Sequence, residues 1–389
     1  MDPVPAPAPA GPGGPAPSDR LPAAVAGAYT VLAGTLLSTV GLSWDVQWHI
    51  EVGPDTFFTL PHLLLYSGSA IAGIAGLVMV LRATFAQRAG RPADPAAGGS
   101  PVRVLGGTFT APLGYLVAGT GGALFLLYGL LDLWWHSLYG FDAVQDSPPH
   151  VALFISISLT MVGSVIVFAA ARARRWGRIG LIVSIPVLMT FAPITTYAFQ
   201  RMPLPIDPRL AGTVFFAVCF VLMGAITLRH RRVALSIAVV LGAMQLFLWW
   251  FSPWAARVYA DYVGLPLRDN LREMAPVLPA GIPMFMLAAA LVMEGLLRLG
   301  RGRGWSARRL PQLVGAAGGV VVSLSMLVQT SMLRGGMGRG PMGQATTSAT
   351  TVLIDVVLGL ALGALAGYLA ARFAVLLRLN TPAADQEGR

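Results

Sequence analysis

Charge is scarce in this chain: 11% of its 389 residues are Asp, Glu, Lys or Arg, whereas 55% are hydrophobic and the mean hydropathy is +0.68. So few polar groups cannot cover a globular surface, which excludes the soluble classes. Cysteine is nearly missing too. Cys219 stands alone in an apolar run, so neither a disulfide framework nor a cysteine metal site can be built from this chain. Metal ligands, if present, are left to histidine, carboxylate or methionine. Lysine is absent, and the 27 basic residues are all arginine, set between apolar spans rather than gathered on one patch. A net charge of +10 and a pI near 10.6 therefore reflect membrane orientation, not a nucleic-acid partner. Residues 1–21 lack the basic start and short apolar core of a secretory signal, and their Pro/Ala/Gly composition predicts a disordered leader.

What is abundant is long apolar runs, which fall near 22–44, 57–81, 110–134, 150–171, 178–199, 210–228, 233–256, 277–297, 311–331 and 350–377. They predict an all-α polytopic transmembrane bundle of about ten spans, embedded in a lipid bilayer. Loops after even-numbered spans carry the arginines: Arg82, Arg88 and Arg91; Arg172, Arg174 and Arg175; Arg229, Arg231 and Arg232; Arg301, Arg303, Arg308 and Arg309. By the positive-inside rule these loops and both termini face the cytoplasm, and the chain belongs in a bacterial inner membrane. Four regions follow: the leader, residues 22–175, further spans over 176–378, and a polar tail from 379 to 389.

Four of the five histidines form two copies of one pattern. The first runs Trp44-Asp45-Val46-Gln47-Trp48-His49 and continues to Pro61-His62; the second runs Leu131-Asp132-Leu133-Trp134-Trp135-His136 and continues to Pro149-His150. In each, the Asp and first His are four apart at the end of one helix, hence on one face, and the second His opens the next, antiparallel helix. The first four spans thus form a duplicated helix-pair unit. Proline fits the first turn of those helices, where no N–H is needed. One carboxylate and two imidazoles suit a divalent transition metal, copper, zinc or iron, with an open position at the outer end of the helix pair. The bland alternative is that these are solvated interfacial groups, with Trp44, Trp48, Trp134 and Trp135 as an aromatic belt. His230, within Arg229-His230-Arg231-Arg232, reads as part of a basic turn.

Asp45-x3-His49-x12-His62 resembles the copper-ligand motif of the C subunit of particulate methane and ammonia monooxygenases, and Asp132-x3-His136-x13-His150 resembles that subunit's second metal motif. The likeness covers roughly residues 22–175. It implies that Asp45, His49 and His62 bind one copper, that Asp132, His136 and His150 bind a neighbouring one, and that other membrane subunits complete the enzyme. Where the family commonly has Asn, this chain has Asp132, and the added charge favours a harder or more oxidised metal. The implied activity is oxidation of a small apolar substrate with O2, with Phe57 and Phe58 as candidate pocket walls. Two other readings stay open: metal transport, storage or delivery without oxygen chemistry, and a membrane zinc hydrolase.

Other polar and small residues stand out less sharply. Met332, Met337 and Met342 lie in a Gly-rich stretch that reads either as a Cu(I)-capturing loop or as an ordinary flexible one. Gln245, Gln329 and Asp355 read as interhelical hydrogen-bonding groups, with a place in a proton or ion path as the alternative for Asp355. Glu51, Asp55, Asp142 and Asp146 read as loop acids beside the proposed ligands, and Gly359, Gly363 and Gly367 as a close-packing stripe.

Overall fold

The computed structural model describes residues 17–53, 56–140, 147–199, 202–203, 206–269, 275–336 and 348–380. It is a helical bundle in the order α1 (Pro17–Glu51), α2 (Leu60–Arg88), β1 (Pro101–Val104), β2 (Phe109–Pro112), α3 (Leu113–Tyr139), α4 (Pro148–Ala170), α5 (Arg175–Phe191), α6 (Pro208–Leu228), α7 (Val233–Val263), α8 (Val277–Gly281), α9 (Met286–Gly302), α10 (Leu310–Gly336) and α11 (Ala349–Leu379). Among the described residues, ten helical segments, with α8 and α9 counted together, are long and apolar enough to cross a membrane. The chain is a multi-pass membrane protein whose apolar helices contact lipid. Successive helices alternate in direction, so the bundle has two poles. One gathers the arginine-bearing turns after α2 and α4, tied to the end of α11 by Ser100–Asn380 and Arg172–Arg378 hydrogen bonds, and the other gathers the two histidine motifs with Arg257 and Arg268 beside Glu51.

Helix ends depart from the hydropathy reading in ways local chemistry explains. α1 starts at Pro17, inside the stretch expected to be leader, because prolines are tolerated near a helix start, where few backbone donors are required. α1 also runs on to Glu51 and α3 to Tyr139, carrying Asp45, His49, Asp132 and His136 on helix rather than in loops. The expected span 277–297 is broken. Pro283 biases Ile282 to an extended conformation (φ −80°, ψ 136°), which separates α8 from α9. Buried Gln245 and Gln329 meet the exposed backbone there. Gln245 Nε2 donates to the carbonyls of Pro279 and Ile282 at 2.9 Å each, and Gln329 Nε2 donates to those of Ala280 and Ile282 at 2.6 and 3.0 Å. The Met284 N–H donates to Gln329 Oε1 at 2.8 Å. A short antiparallel hairpin, β1 against β2, adds to what hydropathy predicts; Thr84 at the end of α2 exchanges hydrogen bonds with the Thr110 backbone and fixes it to the arginine pole.

Close helix approach rests on glycine. Gly315 and Gly319 of α10 face Gly359, Gly363 and Gly367 of α11 so tightly that a Cβ on any of them would strike opposing backbone. The same device joins α1 to α2 and α3 to α4, in register. A Cβ at Gly34 would meet Gly68 O and Ala72; one at Gly121 would meet Ser156 O and Thr160. Gly34 and Gly121 are 87 apart, and the two partner pairs are 88 apart, so the duplication extends through the membrane and sets both helix pairs at one spacing. Gly73 and Gly76 of α2 approach Gly122 and Gly119 of α3, placing the two units side by side.

Candidate metal centres

At the histidine pole each helix pair brings its three residues together. Asp45 Oδ1 lies 3.7 Å from His49 Nε2 and 3.0 Å from His62 Nε2; Asp132 Oδ1 lies 3.6 Å from both His136 Nε2 and His150 Nε2. In each triad the donor atoms lie within 4.8 Å of one another, and among the described residues these are the two groups of three or more potential ligands. All six residues are buried or half-buried. Donors held ~2.0 to ~2.2 Å from a divalent ion stand roughly 2.9 to 3.6 Å apart, close to the carboxylate–imidazole separations of 3.0 to 3.7 Å seen here.

Hydrogen bonding orients the rings. His62 Nδ1 is 3.0 Å from the Thr56 carbonyl, and His136 Nδ1 is 3.0 Å from the Gly140 carbonyl. A carbonyl only accepts, so these Nδ1 atoms carry the proton and, in the neutral ring, leave the Nε2 lone pair facing the carboxylate. Two lone pairs at 3.0 Å repel unless a cation lies between them. A shared proton or a bound cation between Asp45 Oδ1 and His62 Nε2 would relieve that repulsion. Convergence of this kind could hold a metal ion.

The two centres share supporting residues that the sequence motif does not reveal. Thr59 occupies the N-cap position of α2 without capping it; its hydroxyl sits 3.2 Å from His62 Nδ1. Ser147, 88 residues later, places its hydroxyl 3.0 Å from His150 Nδ1. Tyr66 stacks on His62 (centroids 5.7 Å, 14°), and Phe154, again 88 later, stacks on His150 (6.3 Å, 17°). The shared offset is the signal that could have found them. It is masked because a hydroxyl at a helix start reads as an ordinary cap.

Several expectations drawn from the sequence change. Trp44 and Trp48 are buried and pack on Tyr259 (5.8 and 4.9 Å), so they form no lipid-facing belt, whereas Trp134 is exposed as a belt residue would be. Glu51 is not a solvated loop acid. It is buried at the end of α1, receiving Nε and Nη2 of Arg257 at 3.1 and 3.0 Å and Gln47 Nε2 at 2.9 Å. Phe57 packs on Tyr66 at 5.0 Å beside the first triad, whereas Phe58 is 69% exposed and packs edge-on against Phe57 at 5.2 Å. Met332 is an exposed residue of α10 rather than part of a loop; Met337 and Met342, like Asp55, Asp142 and Asp146, lie outside the described residues. His230 is exposed in its basic turn.

Comparison of the chain with family models, curated proteins and solved structures finds no match. Function is therefore read from the two triads alone.

Proposed function

We propose that this protein is a copper-binding membrane monooxygenase-like subunit, holding metal in Asp45/His49/His62 and Asp132/His136/His150 and oxidising a small apolar substrate with O2. The observation carrying this reading is the convergence of a buried carboxylate oxygen and two Nε2 atoms at metal-ligand separations, made twice with the same supporting residues. Mixed imidazole and carboxylate donors suit copper, and also iron and zinc. Bound there, copper supplies one-electron redox chemistry toward O2. The chain's own residues hold the Nε2 lone pairs inward through Thr56, Thr59, Gly140 and Ser147. Beside His62, the rings of Phe57, Tyr66 and Phe125 (5.0 and 5.9 Å from Tyr66) give an apolar molecule a place close to the centre and keep water sparse there.

In this reading the histidine pole faces away from the cytoplasm of a bacterial inner membrane and both termini face inward, as the arginine-rich turns of the other pole favour. Partner membrane subunits complete the enzyme. Fixed rings on packed helix ends favour a resident metal over one in transit, which sets this reading ahead of transport or storage.

The test is elemental analysis and O2 uptake on protein purified in mild detergent. Copper at one to two ions per chain, O2 consumption stimulated by a small hydrocarbon or ammonia, and loss of about one ion in Asp45→Ala, His49→Ala or His62→Ala support the proposal. Hydrolysis with zinc and no O2 requirement would move the protein to the hydrolases. Copper bound with no O2 consumption in the presence of its partner subunits would leave metal handling instead.

A further inference from the structure

The two triads are alike in ligands but not in how the chain holds them. On α1, five buried residues tie the ligand-bearing end to its neighbours. Ser43 Oγ bonds Ser252 Oγ at 2.7 Å, Trp44 packs edge-on against Phe251 and Tyr259, and Trp48 packs on Tyr259. Gln47 donates to Glu51, and Glu51 takes both Arg257 donors while its carbonyl accepts the Arg268 N–H at 2.8 Å. All five residues are less than 8% exposed.

Moving 87 residues along the repeat replaces each of these anchors. Ser43 becomes Leu130 (61% exposed), Trp44 becomes Leu131, Gln47 becomes Trp134, and Glu51 becomes Leu138 (58% exposed); Trp48 becomes Trp135, which packs on its own helix's Tyr139. α3 is held by α2, α4 and the β2 strand, and among the described residues no further helix packs on it as α7 packs on α1. The end of α3 that carries Asp132 and His136 thus meets lipid at the positions where α1 meets α7. The separations differ as well, 3.0 and 3.7 Å in the first triad against 3.6 Å twice in the second.

We infer that the two centres divide their labour: Asp45/His49/His62 is a tight, permanently filled centre set by the Glu51–Arg257 brace, and Asp132/His136/His150 is a weaker centre that exchanges its metal. Glu51 and Arg257 are positioning residues, acting on Asp45 and His49 through the last turn of α1. This rests on the metal reading above. A brace of this kind lowers the cost of ordering the ligands on binding, and loss of such supporting contacts weakens metal sites about 10- to 100-fold.

Metal-free full-length protein in mild detergent, titrated with copper(II) against a competing chelator, reads both centres. Two affinity classes of one ion each are expected, with His49→Ala deleting the tight class and His136→Ala the weak one. Glu51→Gln and Arg257→Ala should weaken the tight class about tenfold or more while the weak class keeps its affinity, and Arg257→Lys should restore part of the loss. Unchanged size-exclusion and circular dichroism profiles identify the variants that fold; if Arg257→Ala does not, Glu51→Gln with Arg257→Lys carries the same comparison. Equal affinities, deletion of the tight class by His136→Ala, or equal weakening of both classes by Glu51→Gln would overturn the division of labour while leaving two metal centres standing. No copper at either centre would instead sink the metal reading on which it rests.

Discussion

Behind the rings of His62, His136 and His150 stands a polar partner at Nδ1, and that is where single substitutions act most selectively. Ser147→Ala removes the hydroxyl beside His150 Nδ1, and we expect metal affinity at the second centre to fall about 10-fold, read by chelator competition. Thr59→Val should cost the first centre less, because the Thr56 carbonyl still holds His62 Nδ1 at 3.0 Å. If Thr59→Val proves the costlier of the two, the carbonyl is not what fixes the ring. The clustering of each Asp/His/His triad was legible in the sequence, since an Asp and a His four apart on a helix must share a face and Pro-His must open the next one. Glu51 was not. Its partner Arg257 lies 206 residues away, and a carboxylate just past an apolar run looks solvated until the distant guanidinium is placed.

Among the elements, helix identity followed from hydropathy alone, because a stretch of about 20 apolar residues in a bilayer has no alternative to satisfying its backbone as helix. Breaks and short strands escaped that logic. The α8–α9 break depends on Pro283 and on two glutamines from other helices, and the β1–β2 hairpin is four residues per strand, too short for alternation to stand out. Gln329→Leu should orphan the carbonyl of Ala280 and the N–H of Met284, while Gln245 Nε2 still serves the Ile282 carbonyl, costing about 1–3 kcal/mol per group left buried. Thermal unfolding in detergent measures it; a Tm within about a degree of the parent would show that the break is held by other means. Gly363→Leu forces a side chain into α10 backbone, and we expect about 3 kcal/mol of destabilisation, with Gly242→Leu, which meets open space, as the neutral control.

For the whole molecule, ten crossings return the chain to the face it started from, so reporters fused at either end should report the same compartment. Alkaline phosphatase activity is expected to be absent from both fusions and present for an insertion in the 264–269 turn. Activity at a terminus would invert the assignment of the poles. The arginine turns carry this expectation, since the bias repeats at every second loop and does not depend on any single boundary. What composition could not give was the uneven embedding of the two units, with α7 pressed on α1 and lipid-facing leucines on α3, because that is decided by tertiary packing across the bundle.

The duplicated unit contains two helices, an even number, so its second copy enters the bilayer in the same sense as its first and the two copies relate by rotation about the membrane normal. Rocking machines that expose a cargo to alternate sides are built both from inverted copies and from copies inserted in the same sense, with the cargo held midway through the bilayer at the interface between copies. Here both triads instead stand at the ends of their helix pairs, so the duplication sets two like clusters side by side at one margin rather than one cluster between the copies.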